Sequence, residues 1–240
     1  MSSSSTSTNG IVWIISAALL AIGFIIGSFL ISGLVLKARL AERSVTVRGL
    51  AEQDVMADLA TWTLAFSSQG TDLKATQDDI DADTQAIKAF FKELGFETEA
   101  LRAAGVGVSQ YKDSYGKPNI TIRQRMTLRT TDIELAQKAV TQQFDLIRRG
   151  VVLEDGSGMS YTFTKLDEVK PQMVAAATQD ARRAAQQFAE DSGANVGGIK
   201  SATQGYFSIR SRDGDGGGYG VSDTPYKKVR VVTTVDFYLR

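Results

Sequence analysis

From Ile11 to Leu36 the chain carries no charged side chain; the run reads IVWIISAALLAIGFIIGSFLISGLVL. As a helix rising 1.5 Å per residue it spans about 39 Å, more than the ~30 Å hydrocarbon layer of a bilayer, and a tilt absorbs the excess. A soluble core helix is rarely apolar all round for this length, and a cleaved signal peptide normally has a basic opening and a shorter apolar run. Met1 to Gly10 is instead rich in Ser and Thr, with no Lys or Arg. The sequence therefore predicts a disordered tail over 1–10, a retained transmembrane helix over 11–36, a linker over 37–43 and a folded domain over 44–240. Lys37, Arg39 and Arg43 flank the span on its C-terminal side, with Glu42 among them, and the positive-inside rule places the domain in the cytoplasm. Within the span Gly23 and Gly27 form a GxxxG pair, a spacing that lets two membrane helices approach closely.

Several chemistries are excluded by what is missing. The 240 residues contain no cysteine and no histidine. No disulfide, Cys/His zinc site, cysteine nucleophile or Ser-His-Asp triad can form, so acid–base work would fall to Asp, Glu, Lys or Tyr. The 27 basic and 27 acidic side chains cancel, which gives no electrostatic footprint for nucleic acid.

After the linker the hydrophobic pattern alternates between strand and helix periods. Ser44–Gly49 and Val55–Ser68 read as strands, the second with Trp62, Leu64 and Phe66 on its core face. Leu73, Ile80, Ile87 and Leu94 recur every seven residues in a helix over 71–94, with Thr71 or Asp72 as cap and Gly95 as stop. Its polar positions hold Asp78, Asp79, Asp81 and Asp83. Leu101–Lys112 and Asn119–Thr130 form a hairpin through the turn DSYGKP. In its second strand Ile120, Ile122, Met126 and Leu128 alternate with Thr121, Arg123, Arg125, Thr127 and Arg129, so one face is apolar and the other basic. Thr131 to Glu134 reads as a capping box that opens a helix carrying Ile133, Ala136, Val140, Phe144 and Ile147 and closing at Gly150. A short strand over 159–165, an Ala-rich helix over 167–192, and strands Ile199–Arg212 and Tyr226–Leu239 complete the chain. The predicted class is α+β: antiparallel β-hairpins packed with three helices in the order ββα-ββα-βα-ββ, preceded by one transmembrane helix.

Three candidate functions arise from the residues. The stripe Arg123, Arg125 and Arg129 has the sign to pair with acidic positions of the first helix, Asp79 and Asp83, in a neighbouring copy; a solvated strand face is the plainer reading. The loop RSRDGDGGGYGVSD offers Asp213, Asp215 and Tyr219 to a ligand or envelope partner and the oxygens of Asp213, Asp215 and Asp223 to a metal such as Ca²⁺, but its spacing matches neither an EF-hand nor a phosphate-binding loop, and a plain hairpin loop is the simpler reading. Ser109/Lys112 and Ser114/Lys117 match S-x-x-K, the pairing of some serine hydrolases, which requires a helix; on a strand the odd offset points the two side chains apart. No catalytic residue, cofactor site or metal site is assigned, and the chain reads as a non-enzyme.

TVRGLAE, at Thr46–Glu52, resembles the opening strand of SIMPL-domain proteins. Asp180-Ala181-Arg182-Arg183-Ala184, followed by Ala185, Ala189, Gly193, Val196, Gly197 and Gly198, resembles a later run of that family, and VRVVTTVDFYL its closing strand. The resemblance covers Ser44 to Arg240. It implies a bacterial envelope protein, usually periplasmic, in a family linked to stress tolerance and surface antigens, some members of which assemble into hollow rings or barrels. It supplies no catalytic residues. The expectation is therefore an inner-membrane, single-pass protein with a periplasmic domain, against the cytoplasmic side that the flanking charges favour. Its partners are the lipid bilayer and further copies of itself, and its work is scaffolding or caging.

Overall fold

The computed structural model describes Trp13, residues 43–214 and residues 223–240. The apolar run and its GxxxG pair lie outside these apart from Trp13, and so do Asp215 and Tyr219 of the Gly-rich loop. Among the described residues no helix is long and apolar enough to cross a membrane. The class is mixed α+β with antiparallel pairing. Eight strands and four α-helices follow the order ββα-ββαα-βα-βββ among the described residues.

One sheet has the strand order β3-β4-β2-β5, built from β2 (Leu59–Gly70), β3 (Leu101–Lys112), β4 (Pro118–Thr130) and β5 (Gly158–Thr162). The other places β8 (Tyr226–Leu239) between β1 (Ser44–Met56) and β6 (Val196–Gln204), with β7 (Ser208–Ser211) also paired to β8. The contacts divide the chain into two compact units. The larger comprises Ala51–Met173 and the described part of Tyr206–Val231; the smaller comprises Val174–Gly205, Val232–Arg240 and the described part of Met1–Leu50.

In the larger unit the period-2 pattern of β2 buries Trp62, Leu64 and Phe66, each at about 1.5–3 kcal/mol. Helix α1 (Leu73–Leu94) packs on β2 and β4 through Ile80, Ile87, Phe90 and Phe91. Phe91 stands edge-on to Trp62, Phe90 and Phe96, with centroids 5.5, 5.0 and 5.5 Å apart. The helix begins where Asp72 accepts the Ala75 amide at 2.9 Å. It ends at Gly95, whose φ of 100° suits a residue without a Cβ.

The second helical region differs from its sequence pattern. The capping side chain is Asp132, which accepts from Leu135 N at 2.9 Å, while Thr130 accepts the Asp132 amide. The single expected helix is two: α2 (Ile133–Thr141) and α3 (Phe144–Arg148), broken at Gln142–Gln143. The break resets the helical phase, so Phe144 and Ile147 face solvent and Leu146 is buried in their place. Likewise the expected strand Ile199–Arg212 is two strands, interrupted at Gly205–Phe207.

In the smaller unit, helix α4 (Leu166–Asp191) contributes Ala177, Ala181, Ala185 and Ala189, all buried and four residues apart. That spacing makes one ridge. Ala181 and Ala185 pack with Val47, Val235 and Phe237. Gly49 meets the same ridge: a Cβ there would lie 1.9 Å from Ala177 O and 2.5 Å from Ala181 N. The Leu50 amide donates to Asp180 Oδ2 at 2.9 Å beside this contact.

Candidate functional site

The larger unit carries an arginine stripe on the open face of its sheet and a cluster of aspartates on the first half of the helix that covers the other face, and the strand period places the stripe. Alternate residues of β4 bury Ile120, Ile122, Met126 and Leu128 under α1, which sends Arg123, Arg125 and Arg129 to the opposite face, where all three are exposed. Cross-strand neighbours leave room around them. Arg125 stands opposite Ala65 and Gly105, and Arg123 opposite Ser67 and Gly107. A depression of about 260 Å³ lies there, lined by Ala65, Gly105, Gly107, the two arginines and Glu154 among others.

A fourth arginine joins the stripe. Arg102 pairs with Thr127 and shares the outer face, because a bulge between Ala103 and Gly105 shifts the alternation of β3 by one residue. Simple alternation from Gly105 backward assigns Arg102 to the wrong face, so the sequence reading missed it. The nearby counter-charge is Glu154, 3.5 Å from Arg123 Nε and also accepting from the Ser67 hydroxyl. Arg102, Arg125 and Arg129 make no ion pair among the described residues.

Helix α1 lies on the other side of this sheet. Asp78 is paired with Lys74 at 3.4 Å, whereas Asp79, Asp81 and Asp83 have no cation within ion-pair distance among the described residues. Burial pushes the Asp83 carboxyl above the usual range, and the like charge of Asp79 one turn away adds to it. An acidic patch on the first half of α1 and the arginine stripe thus lie back to back across one sheet.

The other candidates are not brought together. Both carboxylate oxygens of Asp213 are engaged by Arg212, at 2.9 and 3.2 Å. Ser109 faces outward opposite Thr121, whereas Lys112 pairs with Pro118 on the opposite face of β3, so this S-x-x-K pair is split. Asp223 sits at a structural junction: its carboxylate accepts from Lys227 Nζ at 2.6 Å, from the Tyr161 and Thr224 amides at 2.9 Å, and from the Ser211 hydroxyl at 3.3 Å. Burial raises this carboxyl, but the Lys227 and backbone hydrogen bonds outweigh it and hold it below the ordinary carboxylate range. These contacts tie the start of β8 to β5 and β7.

The model of the SIMPL family, described as "Protein of unknown function (DUF541)", matches residues 45–237. No curated protein matches the chain.

Proposed function

We propose, from the premise that this chain belongs to the SIMPL family, that it is a membrane-anchored envelope protein which assembles with copies of itself into a scaffold or cage. The observation that carries this is the back-to-back charge of the larger unit. The arginine face of one copy is complementary to the Asp79/Asp83 face of the next, and such a contact joins two different surfaces. Contacts of that type repeat head to tail and close into rings when the rotation permits. Anchoring by residues 11–36 in the inner membrane, with the domain on the periplasmic side, raises the effective concentration of neighbouring domains. Exposed charges are screened within about 8–10 Å at physiological salt, so the contact weakens as salt rises.

A charge swap tests the reading. Light scattering on the full-length chain in detergent should show an oligomer. R125E/R129E should lower its mass, and so should D79K/D83K. Combining all four substitutions restores the complementarity with signs exchanged and should restore the mass. A wild-type chain that is a clean monomer at micromolar concentration, or a four-fold variant no better than either pair, overturns the proposal.

A further inference from the structure

We infer that β3 is a second self-association surface, pairing antiparallel with β3 of another copy across a two-fold axis at Gly107. The choice of a second copy as occupant rests on the self-assembly reading above; the edge contact shares Arg102 with the stripe but uses none of Arg125, Arg129, Asp79 and Asp83.

β3 lies at the edge of its sheet, bonded to β4 alone. It is twelve residues long, and every residue except Leu101 is exposed. Proteins usually guard such an edge with charges, proline, a covering element or a short strand. From Ala103 to Tyr111 the strand has no charge and no proline. Its one irregularity, the bulge between Ala103 and Gly105, leaves Gly105–Lys112 regular. Val106 and Val108 stand opposite Gln124 and Ile122, on the face that α1 covers over β2 and β4, yet they are 64% and 60% exposed. The helix layer stops one strand short of the edge.

The strand complements itself, and its β4 partners give the ruler. Gly107 is opposite Arg123; Val106 and Val108 are opposite Gln124 and Ile122, one step to either side. Arg102 and Tyr111 are opposite Thr127 and Asn119, each four steps from Arg123. Folding this pattern about Gly107 sets Val106 of each copy against Val108 of the other on the helix side. On the outer face it sets Arg102 against Tyr111, a cation–π geometry. Asp113 follows at the strand end, within the roughly 7–8 Å diagonal reach of Arg102. Its Oδ1 accepts the Tyr115 and Lys117 amides, which leaves Oδ2 for the partner's guanidinium. No like charges meet. Pairing along the strand supplies on the order of ten main-chain hydrogen bonds, the number in a standard interface.

The native chain lacks cysteine, so a single introduced thiol reports the contact without background. A Cβ at Gly107 meets nothing within 4 Å, so Gly107→Cys leaves the protomer intact. Directly opposed residues of an antiparallel pair have Cα atoms about 4.5–5.5 Å apart, inside disulfide range. Full-length Gly107→Cys in detergent under mild oxidation should run mostly as a covalent dimer. Ser160→Cys, exposed on the other edge strand β5, should remain monomeric under the same conditions. Adding V106K/V108K to Gly107→Cys should abolish the dimer and leave its melting curve unchanged.

The inference is overturned if folded Gly107→Cys stays monomeric, if Ser160→Cys crosslinks equally, or if the thiol in cells joins a different polypeptide instead of its own copy. The two readings separate cleanly. D79K/D83K should leave the Gly107→Cys dimer in place. A dimer that persists while the charge swap changes nothing removes the head-to-tail contact and keeps the edge contact. The reverse outcome removes the edge contact alone.

Discussion

Replacing Gly49 with alanine tests the packing of the smaller unit at its tightest point. The added carbon would lie 1.9 Å from Ala177 O, 2.5 Å from Ala181 N and 2.9 Å from Ala181 Cβ. Two of these are backbone atoms of α4, so no side-chain rotation relieves the clash. A carbon beside a carbonyl oxygen normally sits at about 3.3 Å or more, so the helix must retreat by roughly 1.4 Å. That lifts the ridge Ala177–Ala181–Ala185 from the β-sheet and stretches the Leu50–Asp180 hydrogen bond. Overpacking costs about 1–3 kcal/mol or somewhat more, and the exposed hydrogen bond about 1, against about 0.4–1 kcal/mol gained from a stiffer unfolded chain. The net loss is about 3 kcal/mol, which for a chain of this size lowers Tm by roughly 6–12 °C. Thermal unfolding of the full chain in detergent, followed by far-UV circular dichroism, measures it. Gly198→Ala is the control, since a Cβ there meets nothing within 4 Å. A second readout is the Asp180 carboxyl. The Leu50 amide, then Arg183, holds it below the ordinary range. It should return upward in Gly49→Ala. A Gly49→Ala chain that melts with the control and leaves Asp180 unchanged would refute the close approach.

Two further substitutions probe the larger unit. Asp223→Asn leaves Lys227 buried without its counter-charge, at a cost of about 3 kcal/mol by urea unfolding at neutral pH. Because the folded carboxyl is depressed, its stabilisation is full above about pH 4 and is lost as pH falls through the lower folded value. The variant should therefore lack that part of the acid limb, and an unchanged limb would count against the assignment. Asp83→Asn acts in the opposite sense. The raised carboxyl costs stability once pH rises through its folded value, so the substitution should stabilise the protomer at neutral pH by about 0.2–0.5 kcal/mol while lowering the oligomer mass. A gain in both, or a loss in both, contradicts its placement at a contact.

Local periodicity made much of this fold readable. Trp62, Leu64 and Phe66 on β2, the alternation of β4 and the buried series Val229, Val231, Thr233, Val235 and Phe237 on β8 follow directly from a two-residue repeat. The Asp72 cap and the Gly95 stop follow from terminal chemistry. What the pattern hid was set by neighbours. Phe144 and Ile147 keep helical spacing through the break at Gln142–Gln143, but their phase is lost there. Arg102 changes face because of one extra residue in β3. The glycine of TVRGLAE and the alanines of the later run looked like separate motif letters in the sequence. In the fold Gly49 and Ala177–Ala181 are two sides of one contact, joined across more than a hundred residues. The exposure of β3 is likewise a matter of strand order, which no window of its own sequence contains.

The two proposed contacts do not act independently, because both involve the outer face of the same sheet. Pairing β3 with its copy joins two four-stranded sheets into one of eight strands, and brings two sets of Arg102, Arg123, Arg125 and Arg129 onto one continuous surface. Their mutual repulsion opposes the edge contact, at roughly 1 kcal/mol or less for each exposed pair. An acidic α1 face docked on that surface neutralises it. Each contact therefore favours the other, and by linkage the coupling is equal in both directions. Salt acts with opposite sign on the two: it screens the attraction between arginines and aspartates, and it also screens the repulsion that holds two β3 edges apart. The edge dimer formed alone should strengthen as salt rises, and the head-to-tail assembly should weaken. A surface of four arginines with one glutamate beside it would be poorly placed next to an open edge in a protein meant to stay single. In a protein that assembles, the same placement makes an isolated edge pair somewhat weaker than one with the acidic face of a third copy docked on it, without preventing that pair from forming.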